Sequence, residues 1–238
     1  MRRLERGVTL LELLLAVTLL ALLSVAMFTA MRIGLNAFIK ADDKLMMNRR
    51  VAGAQRILQS ELQGLVPAIA QCAASPENAG GTRLSFFEGQ PAELRLVSTF
   101  SLQQGWRGQP QILEIFVIRG EQQGVRLVVN EIPYTGSLSA GQLCREQNGL
   151  PQFLPVAAGP QSFVLADKLA FARFSYLGPA PNASQPEIWT PVWKEKVLPL
   201  AVRIEMAPLE ADPSQVQPIS ITAPTYLHRN PEIPYADY

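Results

Sequence analysis

The apolar side chains divide the chain into stretches of different period. From Val8 to Met31, 24 residues pass without Gly, Pro, Lys or Arg, and the one charge among them is Glu12. As a helix rising 1.5 Å per residue, this run spans roughly 36 Å, more than the ~30 Å hydrocarbon layer of a bilayer. Leucine dominates it and favours the helix. Beyond Arg32 the apolar positions narrow to one stripe. Met47, Val51, Ala54, Leu58, Leu62 and Leu65 recur at spacings of four and three, as in an amphipathic helix that packs on a core. Arg49, Arg50, Arg56, Gln59 and Gln63 take the other sides, and Asp42-Asp43-Lys44 make a polar collar before the stripe. Gly64 and Pro67 set the expected end near Val66. The pattern predicts one helix from about Val8 to Val66, on the order of 90 Å long if straight.

Past Pro67 the period drops to two. Leu84–Phe87 and Glu93–Ser98 are short strand candidates, and Ile112–Arg119 and Val125–Glu131 are richer in Ile, Val and Leu. Gly120-Glu121-Gln122-Gln123-Gly124 between the latter two reads as a hairpin loop. Ser162–Ala166 and Leu169–Tyr176 are expected as a further pair of strands separated by Asp167-Lys168. Leu198, Leu200, Val202, Ile204 and Met206 alternate with Ala201, Arg203 and Glu205, with Pro199 placing the start of that strand at an edge or bulge. Ile219–Thr222 is a last short candidate, and the Pro-containing tail after Pro224 reads as extended. A long helix followed by antiparallel strands is an α+β layout, with the helix covering a sheet face.

Composition narrows the chemistry. The formal net charge of +1 gives no electrostatic case for nucleic acid, and Trp106-Arg107 is a lone pair without a basic stripe. Nineteen Pro and sixteen Gly, mostly beyond residue 66, fit a loop-rich, strand-built remainder. One His, His228, lies in the tail, which leaves histidine-based catalysis and a Cys/His zinc site without material. Gly105-Trp106-Arg107-Gly108 lacks the Lys-Ser/Thr ending of a phosphate loop. Glu210 and Asp212, and Glu232 and Asp237, flank loops without EF-hand spacing. The expectation is a protein that is not an enzyme and holds no cofactor or metal.

The amino-terminal segment admits three readings. A cleaved secretory signal would have a shorter apolar core, and Ala26 and Ala30 offer only a faint cleavage site. A plain signal anchor would have no use for Glu12, since a charge costs roughly 2.5–3.5 kcal/mol at mid-bilayer on insertion scales. The third reading rests on Gly7-Val8-Thr9-Leu10-Leu11-Glu12. This stretch, heading an apolar run, resembles the processing site of type IV prepilins and type II secretion pseudopilins: Gly, usually Phe, then Thr-Leu-(Leu/Ile)-Glu. Val8 stands where Phe is usual, a replacement that the family tolerates.

The resemblance implies a type IV pilin-like fold, a long N-terminal helix packed on antiparallel sheet. It implies removal of a leader, residues 1–7, by a membrane-embedded prepilin peptidase/methyltransferase that cuts between Gly7 and Val8 and N-methylates Val8. Glu12, fifth in the mature chain, would then pair with the amino-terminus of a neighbouring subunit. Residues 8–31 would be the transmembrane half of the helix, 32–66 its periplasmic half, 67–223 the sheet domain and 224–238 the tail. Arg2, Arg3 and Arg6 keep the N-terminus cytoplasmic and the rest periplasmic, in a single pass of the inner membrane. Under this topology Cys72 and Cys144 face an oxidising compartment. A disulfide tying the helix end to the sheet is one outcome and two free thiols the other, because bridging distance is not written in the sequence.

A second resemblance lies near the far end. Phe174-Ser175-Tyr176, then Trp189 and Trp193, then Leu198-Pro199-Leu200-Ala201-Val202-Arg203-Ile204 is similar to the C-terminal part of the J-type minor pseudopilin of type II secretion. It implies a structural subunit of the pseudopilus tip, with I- and K-type pseudopilins, and H-type as a further candidate, as partners. A minor pilin of a type IV pilus and a membrane-tethered periplasmic binding module are the competing readings.

Overall fold

The computed structural model describes residues 9–73, 81–101, 106–121, 123–180, 186–209 and 219–227. The chain divides into two compact units, residues 1–48 and 49–238, and each is described by itself. Helix α1, Leu10–Gln63, contributes to both.

In the first unit α1 is leucine-rich, and every side chain from Thr9 to Asp42 is exposed. Its hydroxyl groups turn inward on their own helix. Thr18 donates to the Leu15 carbonyl at 2.9 Å, Ser24 to Leu20 at 2.8 Å, and Thr29 to Val25 and Ala26 at 3.0 and 2.9 Å. Such back-bonding satisfies a hydroxyl where no water competes. The helix passes through Thr29 unbroken, as the lack of Pro there predicts.

In the second unit the last turns of α1 bury Ala54, Leu58 and Leu62. Met47 and Val51, the first two members of the expected stripe, have side chains outside the described set. The helix stops at Gln63 and not near Val66. Gly64 explains the difference. Its N–H still reaches back to the Ser60 and Glu61 carbonyls, at 3.0 and 3.2 Å, but its carbonyl accepts the Thr99 N–H at 2.9 Å. The chain lies so close to Ser98 that a Cβ at Gly64 would meet its Oγ at 2.5 Å. Leu65–Val66 therefore becomes strand β1, paired with Val97 and Ser98.

The strands that follow are β2 (Ile69–Gln71), β3 (Arg83–Ser85), β4 (Glu88–Gly89), β5 (Glu93–Ser101), β6 (Trp106–Arg119) and β7 (Val125–Pro133). After helix α2 (Ser137–Gly141) come β8 (Cys144–Gln147), β9 (Leu150–Phe153), β10 (Phe163–Gly178), β11 (Ile188–Thr190), β12 (Ala201–Pro208) and β13 (Ile219–Pro224). Among the described residues the main sheet runs β1-β5-β6-β7-β10-β12-β13, with β4 on β5 and β11 on β10, and all its pairings are antiparallel. The expected hairpin loop joins β6 to β7. Gly124 there takes a positive φ of 74° while the Gly120 N–H donates to its carbonyl.

Two strand expectations need correction. Leu84–Phe87 is not one strand: β3 ends at Ser85 and pairs with β2, while β4 begins at Glu88 and pairs with β5. Ser162–Ala166 and Leu169–Tyr176 are not two strands but the continuous β10. Its first part pairs with β7 and its second with β12, with register shifts between Val164 and Leu169. Asp167-Lys168, which the sequence places between two strands, makes a bulge inside one. Lys168 sits at φ 53°, its N–H donates to Asp167 Oδ1 at 2.8 Å, and the Arg126 guanidinium grips both Asp167 oxygens at 2.8 and 3.0 Å.

Strands β5, β6 and β7 are covered on both faces. On one, Leu94, Leu96, Leu113, Ile115, Leu127 and Val129 form a core with Leu58, Leu62 and Leu65 and with Phe174, Tyr176, Val202 and Ile204. On the other, Val97 and Ile112 meet Ala70, Cys72, Phe86, Ala140 and Cys144. That second layer consists of the ribbons β2–β3 and β8–β9 with α2. Cys72 and Cys144 are bonded within it, with S–S 2.08 Å and Cα–Cα 5.0 Å. The bridge fastens the segment after β2 to the start of β8 and does not tie the helix end to the main sheet. Together these arrangements are the α+β, type IV pilin-like fold: a long apolar N-terminal helix whose end packs on antiparallel sheet.

The bridge spans a sequence separation of 72 residues, for which chain entropy alone predicts about 4 kcal/mol. Replacing both cysteines with Ser should lower the unfolding free energy by about 2–4 kcal/mol. Urea unfolding of the detergent-solubilised chain, followed by tryptophan fluorescence, measures it. An unchanged midpoint would show that the second layer holds without its bridge.

Candidate functional site

The site with an unmet requirement is the start of α1. Thr9 caps it: the Glu12 N–H donates to Thr9 Oγ1 at 3.3 Å and to the Thr9 carbonyl at 3.1 Å, and the Leu13 N–H donates to the same carbonyl at 3.2 Å. Thr9-x-x-Glu12 is the spacing of a capping box, a signal that the sequence carries alongside the processing motif. The cap places Glu12 in the first helical turn, where the positive end of the helix dipole favours a carboxylate. The Glu12 side chain is exposed, and no side-chain hydrogen bond or ion pair joins it to another described residue. Gly7 and Val8 lie outside the described residues.

Behind Glu12 the helix segment Leu10–Asp42 is long and apolar enough to cross a membrane. Leu10, Leu13, Leu20, Leu23 and Phe28 expose more than half of their surface, which water would penalise and lipid or other apolar helices would not. Among the described residues from Thr9 to Met31, Glu12 is the one ionisable side chain. What the arrangement can do is insert, pack sideways, and present one carboxylate to a cation from another molecule.

Residues of the second resemblance are brought together in the sheet domain. Phe174 and Tyr176 lie on β10, which pairs with Trp189 of β11 on one side and with β12 on the other. Trp193 is buried, its indole N–H donating to the Val197 carbonyl at 2.8 Å and its backbone N–H to Gly89 at 2.8 Å. Arg203 stacks on Trp189 with Cζ 3.8 Å from the ring centroid. Pro199 precedes β12, so no ladder bond is lost to it. His228, Glu210, Asp212, Glu232, Asp237 and Gly105 lie outside the described residues. Among the described ones, no group of three or more His, Cys, Asp or Glu could hold a metal ion.

The other concentration of charge is a buried network around Arg95, only 1% exposed. Its Nε donates to Glu114 at 2.9 Å, Nη1 to Glu88, and Nη2 to the Leu154 carbonyl at 2.8 Å, with Glu93 at 3.5 Å. Phe153 lies against the guanidinium at 4.9 Å. Asn130 continues the network, donating to Glu114 at 2.8 Å and to the Ala157 carbonyl at 3.0 Å. Burial pushes the Glu88 carboxyl up to about 7, against the pull of Arg95 and with the like charges of Glu93 and Glu114 adding to it. Every donor of this network is aimed at the protein itself, so it binds the 153–157 segment to the sheet.

In comparison with known proteins, the chain matches the family described as "Prokaryotic N-terminal methylation motif" over residues 2–28. No curated protein sequence matches it. The match covers Gly7 to Glu12 and the apolar run as far as Phe28, and supports a pilin-like protein of type II secretion or of a type IV pilus. With the apolar helix, it fits a membrane-anchored single-pass chain.

Arg95→Met leaves buried carboxyl groups without their cation and should cost about 3–5 kcal/mol. The sign with pH follows from the raised Glu88 carboxyl. Carboxyl groups that hold protons in the fold lose stability as pH climbs from the unfolded value near 4.5 toward 7. The deficit should therefore be smaller at pH 5 than at pH 8, measured by urea unfolding at both.

Proposed function

We propose that the chain is a minor pseudopilin of type II secretion, of the J type. It is a structural subunit of the pseudopilus tip that initiates assembly for protein export, and not an enzyme. The observation that carries this reading is the capped carboxylate Glu12 at the head of an exposed apolar helix, inside the methylation motif. In this reading the peptidase/methyltransferase cuts after Gly7 on the cytoplasmic side and methylates Val8. Methylation keeps the amine cationic. A cation from the next subunit then meets Glu12 in a medium of low dielectric, where opposite charges attract strongly and an unpaired one is costly. The helix packs beside those of the I- and K-type subunits, with H-type as a further neighbour, and the sheet domain makes its contacts in the periplasm. No nucleic acid takes part.

The J assignment is supported by the contiguous arrangement of Tyr176, Trp189, Trp193 and strand β12. A minor pilin of a type IV pilus carries the same motif and is the second reading. Site-specific crosslinking from Leu13 or Leu20 separates the two: I- and K-type pseudopilins should be captured in the first case, a pilus priming set in the second.

Mass analysis of the mature amino-terminus should find Val8 as the first residue, carrying one methyl group. A Gly7→Glu substitution should leave the chain uncut, visible as an unshifted band beside the wild type. Glu12→Ala should be cleaved normally yet fail to enter the assembly. Normal incorporation of that variant would remove the pairing role from Glu12.

A further inference from the structure

We infer that Glu61 is a proton-dependent latch between the last turns of α1 and the face formed by β5, β6 and β7. The residue sits in the final turn of the helix, between the anchoring side chains Leu58 and Leu62. Its side chain is 1% exposed, and neither carboxyl oxygen has a hydrogen-bond partner. A Leu at this position would be ordinary core, so a buried acid demands an explanation.

The face opposite is known by parity. Leu94 and Leu96 on β5, Leu113 and Ile115 on β6, and Leu127 and Val129 on β7 share one core with Leu58 and Leu62 of the helix. Continuing the same alternation brings Ser98, Gln111 and Glu131 into the rows beside Glu61. The Ser98 hydroxyl spends its one proton on the Glu61 backbone carbonyl at 2.9 Å and accepts the Phe100 N–H at 3.1 Å, so it opposes the burial of the carboxyl group only weakly. Glu131 adds a like charge. Arg107, four residues before Gln111 on β6, has a side chain outside the described set.

An ionised Glu61 would stand desolvated beside a second carboxylate, whereas a protonated one is a neutral side chain of nearly apolar character. Burial, then Glu131, push the group from 4.5 up to about 8, against a smaller downward pull from Ser98. Protonated, it lets Leu58 and Leu62 seat on the sheet. Ionised, it favours states in which the last turns have lifted and the carboxylate reaches water. The raised value makes the seated state fully stable below about 4.5, with that stability lost as pH rises toward 8.

Amide hydrogen exchange on the intact chain in detergent micelles tests this. After correction for the intrinsic base-catalysed rate, exchange in segment 58–63 should rise on the order of tenfold or more between pH 6 and pH 8. In Glu61→Gln the corrected rate should stay flat. Glu61→Met is the second variant, because a neutral side chain without hydrogen-bonding needs should seat equally well. Reading this helix segment separately from β4 and β5 keeps the titration of the Arg95 network out of the measurement. A flat corrected rate in the wild type, or an equal rise in both variants, would overturn the latch.

Discussion

Three central strands that are apolar on both faces have to be covered twice, and the arrangement of the sheet domain follows from that constraint. One cover is the end of α1, through Leu58 and Leu62. The other is a layer of short ribbons, too small to hold itself together by packing, which is pinned by the Cys72–Cys144 bridge. The same constraint explains why β6 reads Ile-Leu-Glu-Ile-Phe-Val-Ile with little alternation: both sets of side chains are inside. It also explains the change of partner in β10, which leaves β7 at the Asp167-Lys168 bulge and carries Phe174 and Tyr176 into the helix-side core beside β12.

Buried charge is handled in two ways within this domain. Arg95 is surrounded by carboxylates, a carbonyl and an aromatic ring, so each of its guanidinium nitrogens has an acceptor. That network lies where the second layer meets the sheet and fixes where Leu154 rests. Glu61, on the opposite face, has no such shell, and desolvation converts it toward its neutral form. The first arrangement favours a unique position for a loop; the second makes the seating of a helix depend on proton activity.

The first unit is governed by a different solvent. Its helix exposes leucines throughout, bonds its hydroxyl groups to its own carbonyls and keeps a single carboxylate at its capped start. The leucines and the back-bonded hydroxyl groups suit a low-dielectric surrounding. Glu12 is the part that such a surrounding does not satisfy, which is why a function by association follows from it more directly than any chemistry within the chain.

The helix, its membrane-length apolar run, the carboxylate at its head and the strand-built remainder were all legible in the sequence. They depend on period, length and local charge, which neighbours in the chain determine between themselves. The Thr9 cap was legible too, in Thr-x-x-Glu spacing. The helix end at Gln63 was not, because it is set by Ser98 and Thr99 approaching Gly64 from another strand. Nor was the unity of β10, since a bulge and a turn use the same Asp-Lys pair and Arg126 decides between them from 41 residues away. The reach of the disulfide and the isolation of Glu61 were likewise decided in three dimensions. A thiol or a carboxyl group acquires its character from what stands across from it, and that is fixed only when distant segments pack.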